Sequence, residues 1–77
     1  MANYLKGRNR LYYDRHSSRA YSRTATPGER NYSKAWLKGF SAVWDNDGIA
    51  DINQCKSSFE RTAFKRGSNF ARKVIDE

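Results

Sequence analysis

Cysteine, histidine, proline and methionine occur once each in 77 residues, and acidic side chains number eight against fifteen basic ones. The lone cysteine, Cys55, excludes an internal disulfide and fits a reducing compartment, so a cytoplasmic location is expected. One Cys with one His excludes an ordinary structural zinc site, which needs about four such ligands. No apolar run approaches the roughly 20 residues that span a bilayer, and no signal-peptide core follows Met1, so no membrane partner is expected. A chain this short holds one domain at most, with a core of marginal stabilising power.

Positive charge is what the sequence has in excess, and it is unevenly spread. Residues 1–34 carry Lys6, Arg8, Arg10, Arg15, Arg19, Arg23, Arg30 and Lys34 against Asp14 and Glu29, a net of +6. Residues 35–77 carry seven bases against six acids, a net of +1. All five tyrosines lie in the basic part and both tryptophans lie outside it. This asymmetry points to a polyanionic partner, nucleic acid before an acidic protein or membrane surface.

Residues 1–26 hold few aliphatic side chains, Leu5 and Leu11 among them, and read as a basic, largely irregular arm. A short helix over about 9–21 would align Leu11, Arg15 and Arg19. Guanidinium groups neutralise phosphates while aromatic rings stack on unpaired bases. Arg8, Arg10, Tyr12, Tyr13, Arg15, Arg19, Tyr21 and Arg23 are therefore candidate nucleic-acid contacts. The alternative is a solubilising tail whose tyrosines pack onto the helices.

Residues 27–77 read as a two-helix domain. Thr26-Pro27-Gly28-Glu29 is a helix start, with Thr26 as cap and Pro27 where a missing N–H costs nothing; Ser33 is a competing start. Tyr32, Ala35, Trp36, Gly39, Phe40, Val43 and Trp44 follow at three- and four-residue steps, giving a helix over about 27–46 that ends near Gly48. A second helix over about 52–75 starts after Asp51, with Ser57 and Glu60 as a later start. Its apolar stripe is Ile52, Cys55, Phe59, Ala63, Gly67, Phe70 and Val74. Arg61, Lys65 and Arg72 fall on the opposite face with Ser68 between them, either a ridge that tracks phosphates or a solvated surface. A short turn over about 46–51 makes the pair an antiparallel hairpin. Gly39 and Gly67 each cost their helix about 1 kcal/mol relative to alanine, so they call for close backbone approach, with Ala35 and Ala63 beside them, unless each merely tolerates a bend. The fold expected is all-α.

Little in the sequence carries chemistry. Around Gly48, Asp45, Asp47 and Asp51 match positions of a calcium loop, but Val43 and Gln54 stand where two ligands are needed, so no metal is expected. His16 has no motif around it beyond the nearby Asp14, and Cys55 has no base placed beside it. With no glycine-rich phosphate loop and no paired carboxylates on a scaffold, neither catalysis nor a cofactor is expected.

The run Ala35-x3-Gly39-Phe40-x-Ala42, followed by Gly48, Cys55, Arg61, Ala63-Phe64-x2-Gly67 and Ala71, resembles the ribosome modulation factor family. The likeness covers about residues 35–71, with Lys56-Ser57 after the cysteine where the family has Pro-Tyr. It implies two linked helices, binding to the small ribosomal subunit near the end of its RNA, and regulation of translation. The expectation is thus a small basic RNA-binding protein, ribosome-associated, that inhibits or modulates translation. The alternative is an adaptor or inhibitor, phage-encoded for example, that meets an acidic host protein through the arm and anchors on Trp36 or Trp44. Double-stranded DNA would be held by its backbone alone, since no helix-turn-helix pattern is present. Exposed tryptophan on so small a scaffold would also suit a homodimer.

Overall fold

A computed structural model describes residues 5–45 and 55–76 of the chain. All regular structure within these residues is helical: α1 spans Gly7–Ala20, α2 Pro27–Trp44 and α3 Ser58–Asp76. None of these helices is long and apolar enough to cross a membrane. The Asp51 helix start, the Gly48 stop and the acidic loop from Asn46 to Asp51 lie outside the described residues.

Helix α2 begins as its sequence predicts. The Thr26 hydroxyl accepts from the Glu29 N–H at 3.1 Å, and Pro27 opens the first turn. Ser33, the competing start, is instead fully buried inside α2. Helix α3 begins at the later of its two starts. The Glu60 N–H donates to the Ser57 hydroxyl at 3.2 Å, and the Glu60 carboxylate accepts from the Lys56 N–H at 2.9 Å. This reciprocal cap satisfies two backbone donors at once, so Cys55–Ser57 lead into the helix and do not form part of it.

Where an irregular arm is expected, residues 7–20 form α1, and α1 joins the core. Gly7, the first residue of α1, takes a left-handed φ of 59°, which glycine adopts at little steric cost, two residues after the buried Leu5. From Leu5 the inward positions of α1 run through Tyr13, His16 and Ala20, of which His16 and Ala20 are buried. Six residues join α1 to α2. Arg30 holds that turn, its guanidinium donating to the carbonyls of Ala25 at 2.7 Å and Ser22 at 3.2 Å.

The core consists of Leu5, Ala35, Trp36, Phe40, Ala63 and Ala71, with Trp44, Phe70 and Val74 among the side chains packed against it. Its centre is the crossing of α2 and α3 at their glycines. A Cβ on Gly39 would collide with the Phe64 carbonyl oxygen and lie 2.7 Å from its carbon; one on Gly67 would collide with the Trp36 carbonyl oxygen and lie 3.0 Å from the Phe40 nitrogen. Only backbones without side chains at these two points approach so closely, and that contact is the compensation for glycine in mid-helix. Ser68, placed by the helical wheel on the outer face, is buried at the same crossing. Its hydroxyl reaches the carbonyls of Gly39 and Phe64, each at 3.0 Å.

The contacts flanking the crossing are not those of an antiparallel hairpin. Phe59, at the start of α3, lies 5.0 Å from the Tyr32 ring near the start of α2, while Phe70 lies 6.0 Å from Phe40 near its end. Residue numbers thus rise together there, whereas Gly39 with Phe64 and Gly67 with Trp36 pair in reverse order. The buried side of α3 shifts accordingly, from the expected stripe to Ala63, Phe64, Gly67, Ser68 and Ala71, leaving Phe59 54% exposed.

Candidate nucleic-acid interface

The cations of α1 are sorted by helical spacing. Arg8, Arg15 and Arg19 are separated by seven and four residues, so they share one strip of the helix, and all three are exposed. Arg10 points to another side and pairs with Asp14 one turn on, Nε to Oδ2 at 3.2 Å. Arg23 is exposed in the turn after α1. On α3, Arg61, Lys65 and Arg72 are exposed along a second strip, and the Arg61 guanidinium reaches back to the Cys55 carbonyl at 3.5 Å. No carboxylate among the described residues pairs with Arg8, Arg15, Arg19, Arg23, Lys65 or Arg72.

The tyrosines divide differently. Tyr13 is half-buried, its ring 4.9 Å from Phe40 and 6.2 Å from Trp36, and it belongs to the core. Burial, with the nearby Asp45 and Asp14 carboxylates, pushes its phenol above the usual value. Tyr13 is therefore not a free stacking surface, because its ring is already packed. Tyr12 remains 42% exposed, although its ring meets Trp36 at 5.5 Å and Phe70 at 5.0 Å. Tyr21, at the end of α1, is 75% exposed, with the Lys34 ammonium 5.8 Å from its ring centroid. Of the three candidate tyrosines, Tyr21 and the outer edge of Tyr12 keep aromatic surface for a partner.

Sequence reasoning missed His16. Its imidazole is 7% exposed and lies flat on the Trp36 indole, centroids 4.1 Å apart and planes 10° from parallel. Nδ1 is 3.4 Å from the hydroxyl of the buried Ser33. Desolvation, and secondarily the positive charge of Arg19, lowers its pKa from 6.5 to about 4, so at neutral pH it is an uncharged aromatic plate. A signal was present in the sequence: Tyr13, His16 and Ala20 keep to three- and four-residue helical spacing and mark an inward stripe that polar neighbours disguise.

The tryptophans also correct an expectation. Trp36 is 1% exposed, covered by Tyr12, Tyr13, His16, Phe40 and Phe70, and Trp44 is half-buried against Phe40. Trp36 thus offers no anchor to an acidic host protein and no exposed surface to a second copy of the chain. Among the described residues, α1 and α3 each carry an exposed cationic strip, and Tyr12 and Tyr21 keep exposed aromatic surface. Comparison with family models, with curated proteins and with solved structures finds no match for this chain.

Proposed function

We propose that this is a non-catalytic RNA-binding protein that grips single-stranded or looped RNA through phosphates and stacks exposed rings on unpaired bases. The observation that carries this reading is the strip of exposed arginines without carboxylate partners on α1, Arg8, Arg15 and Arg19. Arg61, Lys65 and Arg72 on α3 supply a second line of charge, and Tyr21 an exposed ring. Arg10, already paired with Asp14, contributes less, and Tyr13 supports the strip from within the core. Extended guanidinium groups match phosphate geometry, and neutralised phosphates release counterions, so affinity must fall as salt rises.

A ribosomal target, the small subunit, with modulation of translation in the cytoplasm, is proposed on the likeness of residues 35–71 alone. Cosedimentation with small subunits, before and after the arginine replacements below, tests it. For RNA itself the test is titration with structured ribosomal RNA at rising salt. With about five phosphates neutralised, affinity should fall roughly 100-fold between about 50 and 200 mM salt. Joint replacement of Arg8, Arg15, Arg19 and Arg23 by glutamine should abolish binding while circular dichroism stays helical. An affinity that barely moves with salt overturns the proposal.

A further inference from the structure

Between α1 and α3 lies a cleft of about 510 Å³ that none of the expected contacts fully accounts for. It is a shallow groove open to solvent, suited to a flat group laid on it from one side. Arg8 and Tyr12 line it from α1, and Arg66, Asn69, Phe70 and Lys73 line it from α3. The side chains divide by chemistry. Tyr12 and Phe70 pack ring against ring at 5.0 Å, inclined by 44°, and Trp36 lies behind both at 5.5 and 5.3 Å, which makes a stiff aromatic floor. Around it stand three cations, and no acid among the described residues lines the cleft. The Arg66 guanidinium donates to the Tyr32 hydroxyl at 2.8 Å, which holds it in place while its remaining donors stay available. Asn69 is exposed and presents both a donor and an acceptor.

A second groove, beside the turn after α1, is of similar size, about 480 Å³, and carries Arg15 and Arg19. Asp14 and Glu29 line it as well and no aromatic ring does, so it offers no surface on which a base could stack.

We infer that the α1–α3 cleft receives one unpaired nucleobase of the bound RNA, stacked on the Tyr12–Phe70 floor, with its flanking phosphates on Arg8 and Lys73. The assignment rests on the RNA-binding reading above and adds to it the class of group recognised. Stacking uses the π-face that every base has, so binding here tolerates sequence, and Asn69 adds a preference through the base edge. Duplex RNA keeps its bases paired within the helix and cannot fill the cleft.

The full-length chain, titrated at low salt with a short oligouridylate, with its abasic counterpart of equal charge and with duplex RNA, tests this. Oligouridylate should bind about tenfold more tightly than the abasic strand, the effect expected of one stacked base. Phe70→Leu should erase that gap while circular dichroism stays helical. Asn69→Ala, at an exposed position where folding is not at stake, should narrow it several-fold. If intact and abasic strands bind alike, or if the gap persists in both variants, the cleft does not hold a base and the cleft assignment falls while phosphate binding stands. Equal affinity for duplex and single strand likewise overturns the cleft assignment. If neither strand binds at low salt, the RNA-binding reading itself falls, and the cleft assignment with it.

Discussion

Among single residues, His16 concentrates the difference between composition and placement. Its neighbours in sequence are polar, yet its ring lies on Trp36 and its Nδ1 beside Ser33. The folded pKa of about 4 lies below the usual 6.5, so the unfolded chain takes up this proton first. Its contribution to stability is fully present above about pH 6.5, declines as pH falls toward 4, and is lost below. Each pH unit between the unfolded and folded values corresponds to about 1.4 kcal/mol, so that loss is at most about 3.5 kcal/mol. Thermal unfolding of the wild type should therefore weaken between pH 7 and 4 more than that of His16→Phe, which keeps a ring against Trp36 but takes up no proton. Parallel curves for the two proteins would mean that the imidazole is solvated. Tyr13 behaves in a related way, because the same helical spacing that makes α1 also turns this ring inward, away from any base.

Between elements, two glycines decide how α2 and α3 meet. Replacing glycine by alanine in a helix normally stabilises by about 1 kcal/mol. At Gly39 and Gly67 the added methyl meets the carbonyl groups of Phe64 and Trp36, which are backbone and cannot rotate aside. The helices must then separate, and overpacking of this kind costs about 1–3 kcal/mol. Gly28 provides the contrast, since the nearest atom to its Cβ position is the Thr26 hydroxyl at 4.0 Å. Urea denaturation should show Gly39→Ala and Gly67→Ala lowering the midpoint and Gly28→Ala raising it, the last by about 0.5–1 kcal/mol. Three shifts of the same sign would contradict a crossing set by backbone contact.

Across the molecule, α1 serves two purposes. Its inner side, with Leu5, His16 and Ala20 buried, closes the core over Trp36, and its outer strip carries the exposed arginines. Deleting residues 1–20 should thus do more than remove charge. It should lower stability by at least about 2 kcal/mol, the order expected for exposing several buried side chains, and shift tryptophan emission to the red. An unchanged emission maximum and melting temperature would return α1 to the status of a detachable arm. A variant with the arginines replaced, but α1 kept, should retain the wild-type emission, which separates the two roles.

Much of the helical content was legible because local signals agree with one another. Thr26-Pro27 caps α2, Ser57 and Glu60 cap α3, and the small-aromatic-glycine runs mark the close contact by their spacing alone. Cationic strips were legible too, since charge and spacing are properties of sequence. The arm reads as largely irregular, with a short helix over about 9–21 only as an alternative, because Arg and Ser dilute its stripe and a helix of 14 residues gains most of its stability from packing and little from propensity. The crossing of α2 and α3, the burial of His16 and Ser68, and the cleft that joins Arg8 to Lys73 all depend on contacts between residues distant in sequence. Residue order alone settles the local preference of two helices, an excess of positive charge and two points where backbones can touch. Which faces those points bring together was decided in three dimensions, because the crossing angle is set by how side chains of three helices fill one small core.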